Sequence, residues 1–199
     1  MSNIEVVLAT TPAQRRDHHA LRYQVYCERR GFEAGSTLGE EHDEFDLHAV
    51  PFVAYDRQSG LPCGALRLVR GNPLLPAASV TALNQSRLNE LGASVMELSR
   101  LCLRHPNGSV RGDWYQGSDI MLAMIYAAWR YSVKQNVSHW LCLITPAMER
   151  MLGRLSVPFE AVGDICQFRG TRRPLITEVG TMVRAASARC PRVERLVAA

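Results

Sequence analysis

The sequence lacks the features of a chain that crosses a membrane or is exported through one. No apolar run approaches the roughly 18 residues that a helix needs to span a bilayer. A secretion signal begins with a basic stretch that precedes its apolar run. The N-terminal segment, MSNIEVVLATTPAQRR, has a short apolar run but no basic stretch before it. We therefore expect a cytoplasmic protein without stable membrane insertion.

Metal-binding and nucleic-acid-binding patterns are missing as well. The six cysteines are scattered without a CxxC pair, and His42, His48 and His139 show neither metal-ligand nor triad spacing. Lysine and arginine leave a net charge of +4 but are dispersed, with no basic stripe interleaved with aromatic residues. The sequence thus predicts no metal, no bound cofactor and no nucleic-acid partner.

What is present is the composition of one globular domain, with 47% hydrophobic and 21% charged residues. We expect this domain over residues 1–185 and a short, frayed C-terminal tail over residues 186–199. The hydrophobic patterns predict the order strand, helix, hairpin, strand, helix, strand, helix, strand, strand. This order is typical of an α/β (α+β) fold with one central mixed sheet.

Two helix starts carry clear signals, because Thr11–Pro12 and Thr145–Pro146 each place a polar N-cap before a proline. We expect the first helix to run to about Arg29. The other expected elements are a hairpin of residues 51–56 and 63–70, a strand at 95–103, a helix at 118–135, a strand at 140–144, and strands at 159–162 and 175–183.

Charged residues in apolar surroundings are the most informative positions, because ionised groups are rarely buried without partners. Arg67 lies inside ALRLV, and Glu97 and Arg100 interrupt VMELSRLCL. Since a strand alternates its faces, Glu97 and Ser99 should share one face and Arg100 the other, unless a bulge intervenes. The full set of candidates is Arg22, Asp43, Asp46, Arg67, Glu97 and Arg100.

These residues occur in the ordered pattern R-x-x-V-Y-C-E, D-E-F-D, G-x-x-R-L and E-L-S-R, within about residues 15–105. The pattern resembles that of the acyl-homoserine lactone synthases and, more closely, the N-acyl amino acid synthases and exosortase-associated acyltransferases. The resemblance implies a GNAT-like fold, with a mostly antiparallel sheet flanked by helices, and an acyltransferase activity.

Two departures refine what the resemblance implies. The lactone synthases usually carry a tryptophan shortly after the first helix, whereas this chain has RRGFE with Phe32, as in the N-acyl amino acid branch. The segment after the Glu97 strand lacks the Q/R-x-x-G-x-G/A loop by which many GNAT enzymes bind coenzyme A pyrophosphate. The first departure favours an amino acid over S-adenosylmethionine as the acceptor. The second favours an acyl carrier protein, with its acyl-phosphopantetheine, as the donor.

The resemblance therefore implies transfer of a long-chain fatty acyl group from an acyl carrier protein to the α-amine of an amino acid such as tyrosine. In this reading Glu97 is the general base, with Ser99 on the same face, and the amide of Leu101 or Cys102 stabilises the oxyanion. Two alternatives remain open at this point. One is a lactone synthase that uses S-adenosylmethionine, and the other is a non-catalytic acyl-binding module.

The remaining roles also come from the resemblance. Arg22, Asp43, Asp46 and Arg67 would form an ion-pair cluster that holds the acidic loop over the acceptor pocket, and Arg100 would bind the acceptor carboxylate or order the cluster. The acyl chain would contact Met121, Met124 and Met151. The carrier protein would contact Arg104, Arg111 and Lys134. Each role has a structural alternative, which is a salt bridge for the cluster, a core position for the methionines and a solvated rim for the basic residues.

Overall fold

The computed structural model describes residues 3–71, 75–104 and 113–197. Its strands are β1 (Ile4–Leu8), β2 (Ala49–Asp56), β3 (Pro62–Arg70), β4 (Val95–Leu103), β5 (His139–Ile144), β6 (Glu160–Ala161), β7 (Cys166–Gln167) and β8 (Thr171–Glu178). Its α-helices are α1 (Pro12–Arg22), α2 (Gln85–Leu91), α3 (Asp113–Lys134), α4 (Pro146–Arg154), α5 (Val179–Arg189) and α6 (Pro191–Val197). A π-helical segment, Tyr23–Arg29, follows α1, and short 3-10 helices occupy Glu44–His48, Pro76–Ser79 and Gly92–Ser94.

The chain divides into two compact units, Met1–Leu68 with Arg100–Ala128, and Val69–Ser99 with Trp129–Ala199. In the first unit β1 pairs antiparallel with β2, β2 neighbours β3, and β3 neighbours β4. In the second unit the start of β4 pairs parallel with β5, β5 pairs antiparallel with β8, and β8 also pairs with β6 and β7. The sheet is therefore mixed and mostly antiparallel, as expected.

Local sequence signals account for the start of the first unit. Thr11 caps α1 by accepting from the Gln14 amide, and the Gln14 side chain bonds back to the Thr11 amide, which completes a capping box. The helix continues to Arg29 as expected, but its last seven residues are π-helical. Such π-helical segments are rare and often occur at functional sites.

The predicted hairpin of β2 and β3 is confirmed, and its turn is held by one carboxylate. Asp56 Oδ1 accepts from the Gln58 and Ser59 amides at 2.9 and 2.8 Å, and Gly60 takes a positive φ of 70°.

Helix α3 packs very closely on β3, since a Cβ atom at Gly64 would lie 2.5 Å from the Met124 sulfur. A larger residue at position 64 would therefore force the side chains of Met124 and Ile120 to shift, and glycine avoids this.

The C-terminal prediction was wrong. Residues 186–199 were expected to form a frayed tail, but α5 extends through Arg189 and α6 continues to Val197. The expected strand at 175–183 also ends at Glu178. The buried residues of α5 have the i, i+3, i+4, i+7 spacing of an amphipathic helix and are Val179, Met182, Val183 and Ala186.

Among the described residues, no helix combines the length and the apolar character that crossing a membrane requires.

Candidate active site

A ring of alternating charges forms in the first unit. Arg22, at the end of α1, donates from Nε to Glu41 Oε2 at 2.5 Å. Its Nη1 and Nη2 donate to the two oxygens of Asp46 at 2.6 and 3.0 Å. Arg22 therefore joins two carboxylates of the acidic segment, and its bidentate contact with Asp46 fixes the planes of both groups.

Arg67 continues the ring from strand β3. Its Nη1 donates to Asp46 Oδ1 at 2.7 Å and to Asp43 Oδ1 at 2.5 Å, and its Nη2 donates to Asp43 Oδ2 at 2.8 Å. Asp46 thus connects Arg22 to Arg67, and Asp43 is held bidentately.

Arg100, on strand β4, closes the ring. Its Nη2 donates to Asp43 Oδ2 at 2.8 Å and to Glu41 Oε1 at 3.0 Å. Each of the three carboxylates therefore bridges two of the three arginines. The same Nη2 donates to Glu33 at 3.0 Å, which places a fourth carboxylate on the outside of the ring. We call Arg22, Asp46, Arg67, Asp43, Arg100 and Glu41 the charge ring.

The acidic segment is shaped locally before it meets the arginines. Asp43 caps the short 3-10 helix Glu44–His48 by accepting from the Phe45 amide, and Asp46 accepts from the Asp43 amide at 2.9 Å. The Glu41 amide donates to the carbonyl of His19 in α1 at 3.2 Å. These contacts set the spacing of Glu41, Asp43 and Asp46 that the arginines require.

The ring is buried on one side and partly accessible on the other. The side chains of Arg22 and Arg67 are 0% exposed, whereas those of Arg100 and Asp43 are 14% and 21% exposed. Among the described residues, the ring together with Glu33 has three positive and four negative charges, which leaves one negative charge in excess. The accessible side of the ring therefore carries Asp43 and Arg100, with Glu33 beside them.

The arginines of the ring lower the pKa values of two of its carboxylates, Asp46 and Glu41. Burial by itself would raise the pKa of Asp46, but hydrogen bonds from Arg22 and the charges of Arg22 and Arg67 outweigh it and hold the pKa well below its usual range. The pKa of Glu41 is lowered in the same way, because Arg22 and Arg100 outweigh its burial. Asp46 and Glu41 thus stay ionised at neutral pH.

Within β4, Arg100 has a left-handed backbone conformation with a φ of 52°. Beyond this point the Arg104 amide donates to the Cys63 carbonyl in β3 at 2.9 Å. Because successive amides of a strand face opposite edges, the Cys102 amide faces β3 and the Leu101 amide faces away from it. Of the two predicted oxyanion donors, the structure therefore favours Leu101.

Leu101 is also held by a residue of the π-helical segment. The Tyr26 hydroxyl donates to the Leu101 carbonyl at 3.0 Å, and Arg100 lies over the Tyr26 ring at 5.6 Å. Cys102 is buried in the core with Leu21 and Ala65, and this burial raises the pKa of its thiol to about 12. The Cys102 thiol is therefore not a candidate nucleophile.

Glu97 lies in the second unit and is 2% exposed. Its Oε2 accepts from the Ala77 amide at 2.7 Å, at the start of the 3-10 helix Pro76–Ser79. Burial and the nearby negative charge of Glu97 raise the pKa of Cys142, on the adjacent strand β5, to about 12. Ser99 is half-buried in the same unit.

The other predicted contact residues are divided by burial. Met124 is fully buried and packs at Gly64, which fits the core alternative, whereas Met121 and Met151 are half-buried. Arg104 and Lys134 are exposed. Arg111 lies outside the described residues.

Sequence reasoning missed three residues of this region, which are Glu33, Glu41 and Tyr26. Glu41 is one of several acids in GEEHDEFD, so only the density of charge pointed to it. Tyr26 stands inside the motif R-x-x-V-Y-C-E, but nothing in the pattern indicated a hydrogen bond to β4.

Comparisons with known proteins agree with this architecture. Residues 21–111 match the family described as Acetyltransferase (GNAT) domain. An acyl-homoserine-lactone synthase of Aliivibrio fischeri is 24% identical over 147 residues, which cover 73% of this chain and 74% of that protein. A probable acyl-homoserine-lactone synthase of Sinorhizobium fredii is 28% identical over 155 residues, which cover 75% of this chain and 72% of that protein.

Solved structures with a similar fold include an N-acyl amino acid synthase and acyl-homoserine-lactone synthases. FeeM, an N-acyl amino acid synthase from uncultured soil microbes, has a TM-score of 0.71 at 13% identity, covering 92% of this chain and 93% of its own. The acyl-homoserine-lactone synthase LasI has a TM-score of 0.68 at 20% identity, covering 94% and 96%. BjaI, a CoA-dependent acyl-homoserine lactone synthase, has a TM-score of 0.64 at 15% identity and full coverage of both chains.

The expected GNAT-like fold and the expected resemblance to these two groups of synthases are confirmed. The comparisons also support an acyltransferase activity, without distinguishing the acceptor or the acyl carrier.

Proposed function

Starting from an acyltransferase with a GNAT-like fold, we propose that this chain moves a long-chain fatty acyl group from the phosphopantetheine thioester of an acyl carrier protein to the α-amine of an amino acid, such as tyrosine. The observation that carries the proposal is the charge ring with Glu33. An acceptor that has both an ammonium and a carboxylate group needs fixed charges of both signs, and the ring presents them in one rigid network.

The accessible members of the ring suggest how the acceptor is held. Asp43 and Glu33 are the carboxylates beside which the ammonium group would bind, and both contact Arg100. Arg100 is the most exposed of the three arginines at 14% and can accept a carboxylate in place of one of its present partners. The buried pair of Arg22 and Arg67 then serves to position these groups.

The choice of donor rests on the sequence. The loop that many GNAT enzymes use for the coenzyme A pyrophosphate is missing after β4, so a carrier that presents only the phosphopantetheine arm fits better. The exposed side chains of Arg104 and Lys134 could meet an acidic carrier protein. BjaI is described as CoA-dependent, and coenzyme A therefore remains the comparison donor in any assay.

The proposed reaction is aminolysis of a thioester. The neutral amine attacks the carbonyl carbon, the C–S bond breaks, and the thiolate leaves, so that an amide and a free thiol are formed. Glu97 takes the proton of the amine, directly or through water, a contribution of about 10²–10⁴-fold, and the Leu101 amide stabilises the oxyanion. The thiolate, with a pKa near 8.5, needs little acid assistance.

Product identification tests the proposal. The chain is incubated with a long-chain acyl carrier protein and a mixture of amino acids, with S-adenosylmethionine in a parallel reaction, and the products are read by mass spectrometry. We expect an N-acyl amino acid, formed faster from the carrier protein than from acyl coenzyme A. A product that forms only with S-adenosylmethionine would contradict the proposed acceptor.

The base role of Glu97 has a separate test. Glu97→Gln retains an oxygen that can accept from the Ala77 amide, so it removes the base while preserving this buried contact. We expect the variant to lose most of its kcat at neutral pH and to recover part of it at high pH, where the amine is already neutral. Glu90→Gln, at an exposed carboxylate, is the matched control. A deficit that does not change with pH would exclude the base role.

A lactone synthase is the second candidate, and the sequence relatives favour it, since the two described above are both acyl-homoserine-lactone synthases or probable ones. The acceptor S-adenosylmethionine also carries an ammonium and a carboxylate group. Release of methylthioadenosine from S-adenosylmethionine distinguishes the two functions. Its absence, together with an N-acyl amino acid product, would exclude the lactone synthase.

A further inference from the structure

Three side chains with metal-binding atoms converge beside the charge ring, in the first unit. His19, Glu40 and His42 each offer one ligand atom, and these atoms all lie within 4.8 Å of one another. The rings of His19 and His42 are 4.1 Å apart between centroids, and His42 Nε2 lies 2.9 Å from Glu40 Oε2. This spacing is compatible with one ion, because bonds of about 2.0–2.2 Å to nitrogen and oxygen place neighbouring ligand atoms roughly 3–4 Å apart.

The three side chains are carried on a scaffold that already has internal support. His19 belongs to α1, and its carbonyl accepts from the Glu41 amide at 3.2 Å. The backbone of Glu40 is fixed by Ser36, whose hydroxyl donates to the Glu40 carbonyl at 2.7 Å and accepts from the Glu40 amide at 3.1 Å. A metal ion would therefore meet ligands whose main chain is held in place, which is a requirement for tight binding.

We propose that His19, Glu40 and His42 bind a divalent transition-metal ion of the zinc type. Two imidazoles and one carboxylate are ligands that Zn²⁺ and its neighbours accept, and with three protein ligands a fourth position remains for water. The His42 side chain is 47% exposed, so the ion can enter from solvent and keep that water. The bound ion replaces the present contact between His42 and Glu40.

A second combination in the same region, His18 with His19 and Asp46, fits a metal less well. His18 Nδ1 is occupied by the Phe52 carbonyl at 3.0 Å. Both oxygens of Asp46 accept from Arg22, and Oδ1 also accepts from Arg67. Binding there would require the charge ring to open, whereas the site of His19, Glu40 and His42 leaves the ring intact.

The proposed ion would join α1 to the segment that leads into Glu41 and Asp43. It therefore holds in place the loop that supplies the carboxylates of the charge ring. The sequence did not reveal the site, because His19 and His42 are far apart along the chain and show no ligand spacing. The inference does not depend on the proposed acyl transfer.

Cobalt absorption tests the site with a readout independent of activity. The tag-free full-length chain is titrated with Co²⁺, whose visible absorption reports a protein site of low coordination number, and Zn²⁺ is then used to displace it. We expect saturation at one ion per chain. His42→Ala and Glu40→Gln should each weaken Zn²⁺ binding by at least about tenfold, since even the loss of an outer partner costs 10–100-fold. His48→Ala, at another exposed histidine, should leave the affinity unchanged.

Hydrogen exchange supplies a second measurement, which distinguishes loss of metal binding from loss of folding. Zn²⁺ should slow amide exchange over residues 38–46 in the wild type and not in His42→Ala, with both chains giving the same urea midpoint in the absence of metal. The proposal is overturned by a wild-type chain that shows no saturable Co²⁺ or Zn²⁺ binding, or by His48→Ala losing as much affinity as His42→Ala.

Discussion

The charge ring and the pair of Arg87 with Glu160 use the same chemistry in two different surroundings. Arg87 in α2 donates from Nε and Nη2 to the two oxygens of Glu160 at 2.9 and 3.0 Å, as bidentate a contact as any in the ring. Its side chain is 30% exposed and that of Glu160 is 50% exposed, whereas Arg22 and Arg67 are 0% exposed. The difference between the two regions is therefore burial and not hydrogen-bond geometry.

Burial changes what each contact does. Water already solvates Arg87 and Glu160, so their pairing adds little to the stability of the second unit. In the ring, Arg22 and Arg67 have been removed from water and depend on their carboxylate partners, so the loss of one member leaves another uncompensated. An apolar core would stabilise the fold as well or better, which makes the ring a candidate for function and not only for stability.

The largest effect is expected from Arg67→Met. This change removes a fully buried guanidinium and leaves Asp43 and Asp46 without their shared partner. We expect the free energy of unfolding to fall by about 3–5 kcal/mol, as measured by urea denaturation. A loss below about 1 kcal/mol would show that the ring is solvated and would remove the contrast with Arg87.

The next effect is a change in acid sensitivity in Asp46→Asn. The pKa of Asp46 is lowered in the folded chain, so its contribution to stability is complete above its unfolded value of about 3.9 and is lost as the pH falls toward the folded value. The wild type should therefore lose stability steeply below about pH 4. Asp46→Asn should be less stable at pH 7 and should show a shallower acid slope in urea unfolding between pH 5 and 2.5. Equal slopes would contradict the lowered pKa.

A smaller effect is expected at Glu97, whose charge is balanced in part by a backbone amide. Glu97→Ala leaves the buried Ala77 amide without this acceptor, and a loss of about 1–3 kcal/mol should follow. Glu97→Gln, which keeps an acceptor oxygen, should lose less. The two variants are compared by thermal and urea unfolding. If both lose the same amount, the contact with Ala77 does not support the 3-10 helix Pro76–Ser79.

The smallest effect is expected from Arg87→Met. The exposed contacts with Glu160 and Glu90 should be replaced by water, and the urea midpoint should stay close to that of the wild type. Added salt should leave the variant unaffected and weaken the wild type slightly, since surface pairs are screened. A loss as large as that of Arg67→Met would mean that burial is not the decisive difference.

The sequence predicted the frame of the fold and part of the ring for identifiable reasons. Proline after a threonine N-cap marked the starts of α1 and α4, and charges inside apolar runs marked Arg67 and Arg100. The first turn of helix α5, over residues 179–183, was assigned to a strand because a short apolar run does not by itself distinguish a strand from a helix.

Other features depend on contacts between distant parts of the chain. Which acids of GEEHDEFD meet the arginines is decided by the loop conformation, so Glu41 was missed while Asp43 and Asp46 were found. The meeting of His19 with His42 likewise follows from the docking of that loop on α1. The left-handed backbone at Arg100 also has no signal in the residue types.

The most direct test of acyl transfer to an amine is the release of free thiol from an acyl carrier protein, followed with a thiol reagent while the amide product is quantified by mass spectrometry. We expect thiol release that depends on an added amino acid and equals the N-acyl product mole for mole. The proposed acyl transfer would be contradicted if the acyl carrier protein binds to the chain but no thiol is released with any amino acid or with S-adenosylmethionine.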